Sequence, residues 1–185
     1  MKQLMMEAIT AKRSAERNLP QGYTYQRFYG TQKDIDDWKS ITEEVFAPGI
    51  GKDLCWQLMI EEYPDCIPLQ DIHFIANAEG KRVATVTTIT HRDGSGYVHM
   101  VQTRASERGK GLGHSMARYA LRLFEERGVS NVILTTDDFR LAAIKTYLDA
   151  GFQPVIYHDS EMDMKARWEK VLSELKYENV EFLTR

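Results

Sequence analysis

What the chain lacks narrows it first. It has only two cysteines, Cys55 and Cys66, with no CxxC spacing and no cysteine–histidine cluster around them. No zinc or other metal site is expected, and free thiols in a reducing, cytoplasmic compartment are expected rather than a disulfide. No uninterrupted apolar run reaches spanning length, which excludes a transmembrane helix and gives no reason to expect a membrane partner. The opening MKQLMMEAITAKRSAERN holds no apolar core long enough for export. A basic surplus is missing too: 24 Lys and Arg stand against 27 Asp and Glu, a net charge of −3. A general nucleic-acid binder would carry a basic face, so nucleic acid is not an expected partner. Internal repeats and low-complexity tracts are also absent.

At 185 residues, 43% of them hydrophobic, the chain has material for one sizeable core. Residues 1–18 read as a polar, weakly amphipathic helix with Leu4 and Ile9 on one side, stopped by Pro20-Gln21-Gly22. The expected division is therefore an N-terminal helical extension over 1–20 and a single domain over 21–185. Tyr23 to Tyr29 alternates as a strand does. Asp34 to Phe46 has helical spacing, ended by Pro48-Gly49, and a second helix fits Asp53 to Tyr63. Strands follow at Ile72 to Asn77, Arg82 to Thr90 and Tyr97 to Thr103, the last two joined through Asp93-Gly94-Ser95-Gly96. A turn centred on Gly94-Ser95 would set Arg92 opposite Tyr97 and Thr90 opposite His99. Beyond it come a helix from Leu112 to Gly128, a strand at Asn131 to Thr136 and a helix from Phe139 to Ala150. A strand at Phe152 to Tyr157, a helix carrying Met164, Trp168, Val171, Leu172 and Leu175, and a terminal strand through Val180 and Phe182 complete the order. An antiparallel meander followed by strand–helix–strand–helix–strand is an α+β, mixed α/β arrangement with a partly parallel section.

The most informative stretch is Arg108-Gly109-Lys110-Gly111-Leu112-Gly113, which links a strand to an amphipathic helix. Alternate glycines leave the backbone bare, so several N–H groups can turn toward one anion. The helix N-terminus adds partial positive charge, and Arg108 and Lys110 add whole charges. This is a phosphate site. It is not a nucleotide P-loop, since no GxxxxGK with Ser or Thr occurs, and a dinucleotide GxGxxG would need glycine where His114 stands.

The segment from Val98 to Phe152 resembles the GNAT superfamily of acyl-CoA N-acetyltransferases. Its cofactor motif is Arg or Gln, two residues, Gly, one residue, then Gly or Ala, and Arg108 to Gly113 satisfies every position. About 30 residues on, TDDFRLAAIKTYLDAGF matches the second family motif, with Ala143 in the alanine slot and Tyr147 to Gly151-Phe152 closing it. The resemblance implies a mixed, mostly antiparallel sheet splayed at the acyl-CoA site and flanked by helices. It implies acetyl-CoA as co-substrate and transfer to an amine by direct attack within a ternary complex.

The resemblance also implies roles. Val101 falls where a backbone N–H meets the thioester carbonyl, and Thr103 where the strand holds the pantetheine amide. Tyr147 falls near the sulfur, where a phenol of pKa about 10 can protonate a thiolate of about 8.5. Strand alternation places His99 and Tyr97 on the face of Val101, and His99 suits a general base near neutral pH. Arg140 departs from the family pattern, standing where many relatives carry an asparagine; it can meet a CoA phosphate or point to solvent. His114 and Ser115, in the first helical turn, are within reach of the pyrophosphate. Glu43, Glu44, Glu61, Glu62 and Asp65 form an acidic group suited to a cationic acceptor. The acceptor, a small-molecule amine or a peptide or protein amine, is not readable. Nor is dimerisation through the terminal helices. The same fold also accommodates hydroxyl or longer-acyl transfer and a non-catalytic acyl-CoA sensor.

Overall fold

The computed structural model describes residues 3–12, 19–45, 51–157 and 161–185. In chain order the elements are β1 (Leu4–Ile9), β2 (Thr24–Arg27), α1 (Gln32–Val45), α2 (Lys52–Trp56), α3 (Pro68–Asp71), β3 (Ile72–Ala76), β4 (Arg82–Thr90) and β5 (Gly96–Thr103). Then come α4 (Leu112–Glu126), β6 (Asn131–Thr136), α5 (Leu141–Ala150), β7 (Gln153–Ile156), α6 (Glu161–Leu175) and β8 (Leu183–Thr184). Phe46 and Pro48-Gly49, the expected end of α1, lie outside the described residues, as do residues 13–18 of the expected N-terminal helix. No helix among the described residues is long and apolar enough to cross a membrane.

The eight strands among the described residues form one mixed sheet in the order β2-β3-β4-β5-β6-β1-β7-β8. The expected N-terminal helix is instead a strand: β1 lies inside the sheet, antiparallel to β6 on one edge and to β7 on the other. Leu4 and Met6 are fully buried and Ala8 nearly so. A segment covered on both faces has no reason to alternate, so its apolar and polar residues mimic a weak helical pattern. Glu7 is buried in this strand and is answered by the guanidinium of Arg185, whose Nε lies 3.2 Å from Oε2. A buried carboxylate needs such a partner. That pair ties β1 to the residue following β8, which runs parallel to β7.

α4 keeps Leu112, Met116, Ala120 and Phe124 inward and stops at Gly128, whose φ is +75°. α5 ends where the N–H of Phe152 reaches the carbonyl of Tyr147 at 3.0 Å, with Gly151 left-handed at φ +104°. These helices and α6 share one core cluster with β1, β6 and β7, while α1 and α2 close a second around Trp38, Trp56 and Phe74. The turn between β4 and β5 is longer than expected: the N–H of His91 bonds the carbonyl of Ser95 at 2.9 Å. Thr90 therefore pairs with Gly96 and Thr87 with His99, not Arg92 with Tyr97 and Thr90 with His99.

Candidate active site

Where β5 and β6 meet, the sheet comes apart. The two strands pair in parallel only at Gly96 with Val132 and Tyr97 with Ile133, although they continue to Thr103 and Thr136. Past that point one edge of β5 has no strand partner among the described residues. The hydroxyls of Tyr97 and Thr135, 2.8 Å apart, bridge the start of the gap.

A bulge in β5 re-aims its side chains. Met100 is left-handed at φ +49°, and the β4 register moves from Thr85–Gln102 to Thr87–His99, so two residues oppose one. Val98 and Val101 consequently pack on the same cluster, while Met100 packs on the α1–α2 cluster. The face expected to hold both His99 and Val101 does not exist as simple alternation drew it.

After β5, a short turn over Ala105–Glu107 leads into the glycine loop. Gly109 and Gly111 are left-handed at φ +76° and +83°, a conformation other residues adopt only with strain. Among the described residues, the backbone N–H groups from Gly109 to His114 have no backbone acceptor, and α4 begins directly behind them. Together they form a ready anion cradle. Lys110 is held by Glu107 at 2.8 Å, and the Tyr23 hydroxyl donates to the same carboxylate oxygen at 2.5 Å. His114 is bound sideways, its Nε2 lying 3.0 Å from Asp149, which also receives Lys145 at 3.1 Å. Ser115 is fully buried and its hydroxyl turns back to the Gly111 carbonyl, so it does not reach the loop's anion.

A groove of about 780 Å³ starts at this loop and runs along β5 to α5. Every residue from Arg108 to His114 lines it, together with Val101, Thr103, Arg140 and Tyr147. A second pocket, of about 230 Å³, opens in the gap between β5 and β6. The two share Val101, Arg140, Ala143 and Tyr147, and His99 lines the second alone. Tyr147 is 8% exposed; its hydroxyl has no partner among the described residues, and burial pushes the phenol up to about 12. Arg140 donates through Nε to Asp137 at 2.9 Å and lines both cavities. His99 is 7% exposed, and burial lowers its pKa to about 4. Its Nε2 lies 3.0 Å from the carbonyl of Met59, which can only accept, so this nitrogen carries the proton and Nδ1 is the basic one.

The acidic group expected to face the acceptor is dispersed. Glu44 receives the Ala105 N–H at 2.6 Å and Arg104 at 3.0 Å. Glu61 accepts from the Trp56 indole at 2.7 Å, Glu62 from Gln57 at 2.5 Å, and Asp65 pairs with Arg92 at 3.1 Å. Glu43 lies 3.8 Å from Lys52, and none of the five lines either cavity. Sequence reasoning missed Asp137, Cys55, Met59 and Met100, all in the second pocket. Asp137 stands three residues before Arg140 in the matched motif, the one signal that pointed to it.

Comparison with known proteins agrees with this geometry. No curated protein matches the chain. Among solved structures it is similar to a GCN5-related N-acetyltransferase from Sphaerobacter thermophilus, with 21% identity and a TM-score of 0.69, covering 82% of this chain and 47% of that one. Another is a GCN5-related N-acetyltransferase from Kribbella flavida, with 21% identity, a TM-score of 0.58, and 83% and 55% covered. The ribosomal-protein-S18-alanine N-acetyltransferase from Escherichia coli gives 17% identity and a TM-score of 0.54, with 68% and 74% covered. The chain spans about half the length of the first two, and at these identities the likeness is one of fold. The family model described as acetyltransferase (GNAT) family matches residues 35–152, a span that holds the divided strands, the glycine loop and Tyr147. The chain belongs to the GNAT acetyltransferase family.

Proposed function

We propose that this protein transfers an acetyl group from acetyl-CoA to a primary amine by direct attack in a ternary complex. The observation that carries the reading is the meeting of two cavities at Val101, Arg140, Ala143 and Tyr147. Two substrates held in adjoining cavities are brought to contact there, and such placement replaces a bimolecular encounter. The residues fit the donor: the N–H run from Gly109 to His114 suits its pyrophosphate, and the bare edge of β5 suits its amide-bearing arm.

The acceptor's neutral nitrogen attacks the thioester carbonyl, the C–N bond forms, and the C–S bond breaks. The nitrogen gives up one proton and the departing sulfur takes one. The backbone N–H at Val101 stabilises charge on the carbonyl oxygen. Tyr147 donates a hydrogen bond to the sulfur; with its pKa near 12 it remains protonated throughout and acts by that bond more than by full transfer. His99, neutral and basic only at Nδ1, orients the nitrogen or a water that removes its proton. A relay through cysteine is disfavoured, because burial raises the Cys55 thiol and leaves it a poor nucleophile.

Release of CoA thiol from acetyl-CoA in the presence of amines tests the reading. Tyr147→Phe is expected to lower kcat by about 10²-fold with the KM for acetyl-CoA unchanged. Binding of acetyl-CoA without thiol release for any amine would instead identify a sensor.

A further inference from the structure

The second pocket carries information about what enters it, resting on the acetyltransfer reading above. Its volume of about 230 Å³ equals on the order of eight water molecules, the room for a small amine or for one side chain of a larger partner. Its lining is aromatic and sulfur-rich in composition: Tyr97, His99 and Tyr147, with Cys55, Met59 and Met100. Tyr63, outside the pocket, braces two of those rings. It stacks on His99 at 4.1 Å and 28°, and lies parallel to Tyr97 at 6.1 Å and 4°. Rings held in place from behind present fixed faces, and thioethers pack favourably against aromatic edges.

Charge in the pocket is sparse. Among the described lining residues Asp137 is the only carboxylate, and it is already paired with the one lining guanidinium, Arg140, which itself disfavours a second cation. Each of its oxygens already takes one hydrogen bond, from Gln3 Nε2 at 3.1 Å and from Arg140 Nε at 2.9 Å. A carboxylate offers about four acceptor sites, so capacity remains for one ammonium group. A second cationic centre would find no carboxylate of its own and would be buried at a cost.

From this arrangement we propose that the acceptor is a small primary amine with a single positive charge and a flat, aromatic body. The body lies between the ring and sulfur walls. The nitrogen enters past Asp137 and reaches the junction beside Tyr147.

Three acceptors separate the outcomes: 2-phenylethylamine, spermidine and a lysine-containing peptide, each assayed for thiol release with acetyl-CoA. The expected result is a kcat/KM for 2-phenylethylamine at least about tenfold above the other two. Asp137→Asn should raise the KM for that amine about tenfold, and by more than the KM for acetyl-CoA, since Asp137 lines only the acceptor pocket while its partner Arg140 lines both. Should that variant fail to fold, Tyr97→Leu is expected to raise the same KM. Preference for spermidine or the peptide overturns the proposed acceptor class while leaving acetyltransfer standing. An amine KM unmoved by these substitutions overturns it equally. Acetyl-CoA binding without thiol release from any of the three overturns the proposed acceptor class; only the same silence across a broad set of amines would overturn acetyltransfer as well.

Discussion

Nε2 of His99 donates to the carbonyl of Met59 across 3.0 Å, a bond that only the ring protonated on Nε2 can make. His99 and His73 are both nearly buried, and burial holds each near 4, well below the ordinary value of about 6.5. The unfolded chain therefore takes up these protons first as pH falls. The stability contributed by the neutral rings is complete above about pH 6.5 and is lost between about 6.5 and 4, on the order of 3 kcal/mol for each ring. Carboxylates held low, such as Asp34 and Asp138, lose their contribution only below about 4. Melting temperature is expected to fall steadily from pH 7 to pH 4.5, and His99→Asn should flatten that slope. A flat profile in the wild-type protein would contradict the assignment.

The glycines of the loop are not equivalent. Gly111 is left-handed, and Gly111→Ala should cost about 1–2 kcal/mol in strain. It should also weaken acetyl-CoA binding by disturbing the N–H run. At Gly113 the backbone is helical, and an added Cβ would lie 3.7 Å from Thr146 Cγ2, an ordinary contact. Gly113→Ala is expected to keep full affinity and to raise stability by up to about 1 kcal/mol. Thermal melts and acetyl-CoA titrations of the two variants check the contrast.

Deletion of residues 1–9 should abolish cooperative unfolding. β1 supplies the hydrogen-bond partners of both β6 and β7, and its loss would expose two strand edges together with the core side of Leu134 and Val155. Circular dichroism melts report the outcome. An appendage would come away with the transition intact.

What could be read in advance was local. The loop from Arg108 to Gly113 and the pair Ala143 and Tyr147 belong to motifs of fixed short spacing, and both line one groove. Arg140 was legible as a departure but not as to place, because its position depends on a contact with Asp137. The sequence of β1 misled, since LMMEAI, buried on both faces, carries no two-residue period. The left-handed turn at Met100 left no mark either, and it alone moves Val101 off the face of His99. The acidic group looked like a binding surface because ion pairs across the fold are invisible in one dimension.

The position of β1 also dictates an order of assembly. Strand pairing between neighbours in sequence, such as β3 with β4 and β4 with β5, needs little chain and closes early. β1 leaves the ribosome ahead of β6 and β7 but must wait for both, and the bond from Arg185 back to Glu7 spans 178 residues. The donor groove cannot take its final shape until that late closure, because β6 forms one side of the gap and β1 holds it there. A nascent chain therefore carries the whole glycine-loop sequence before it has a working site.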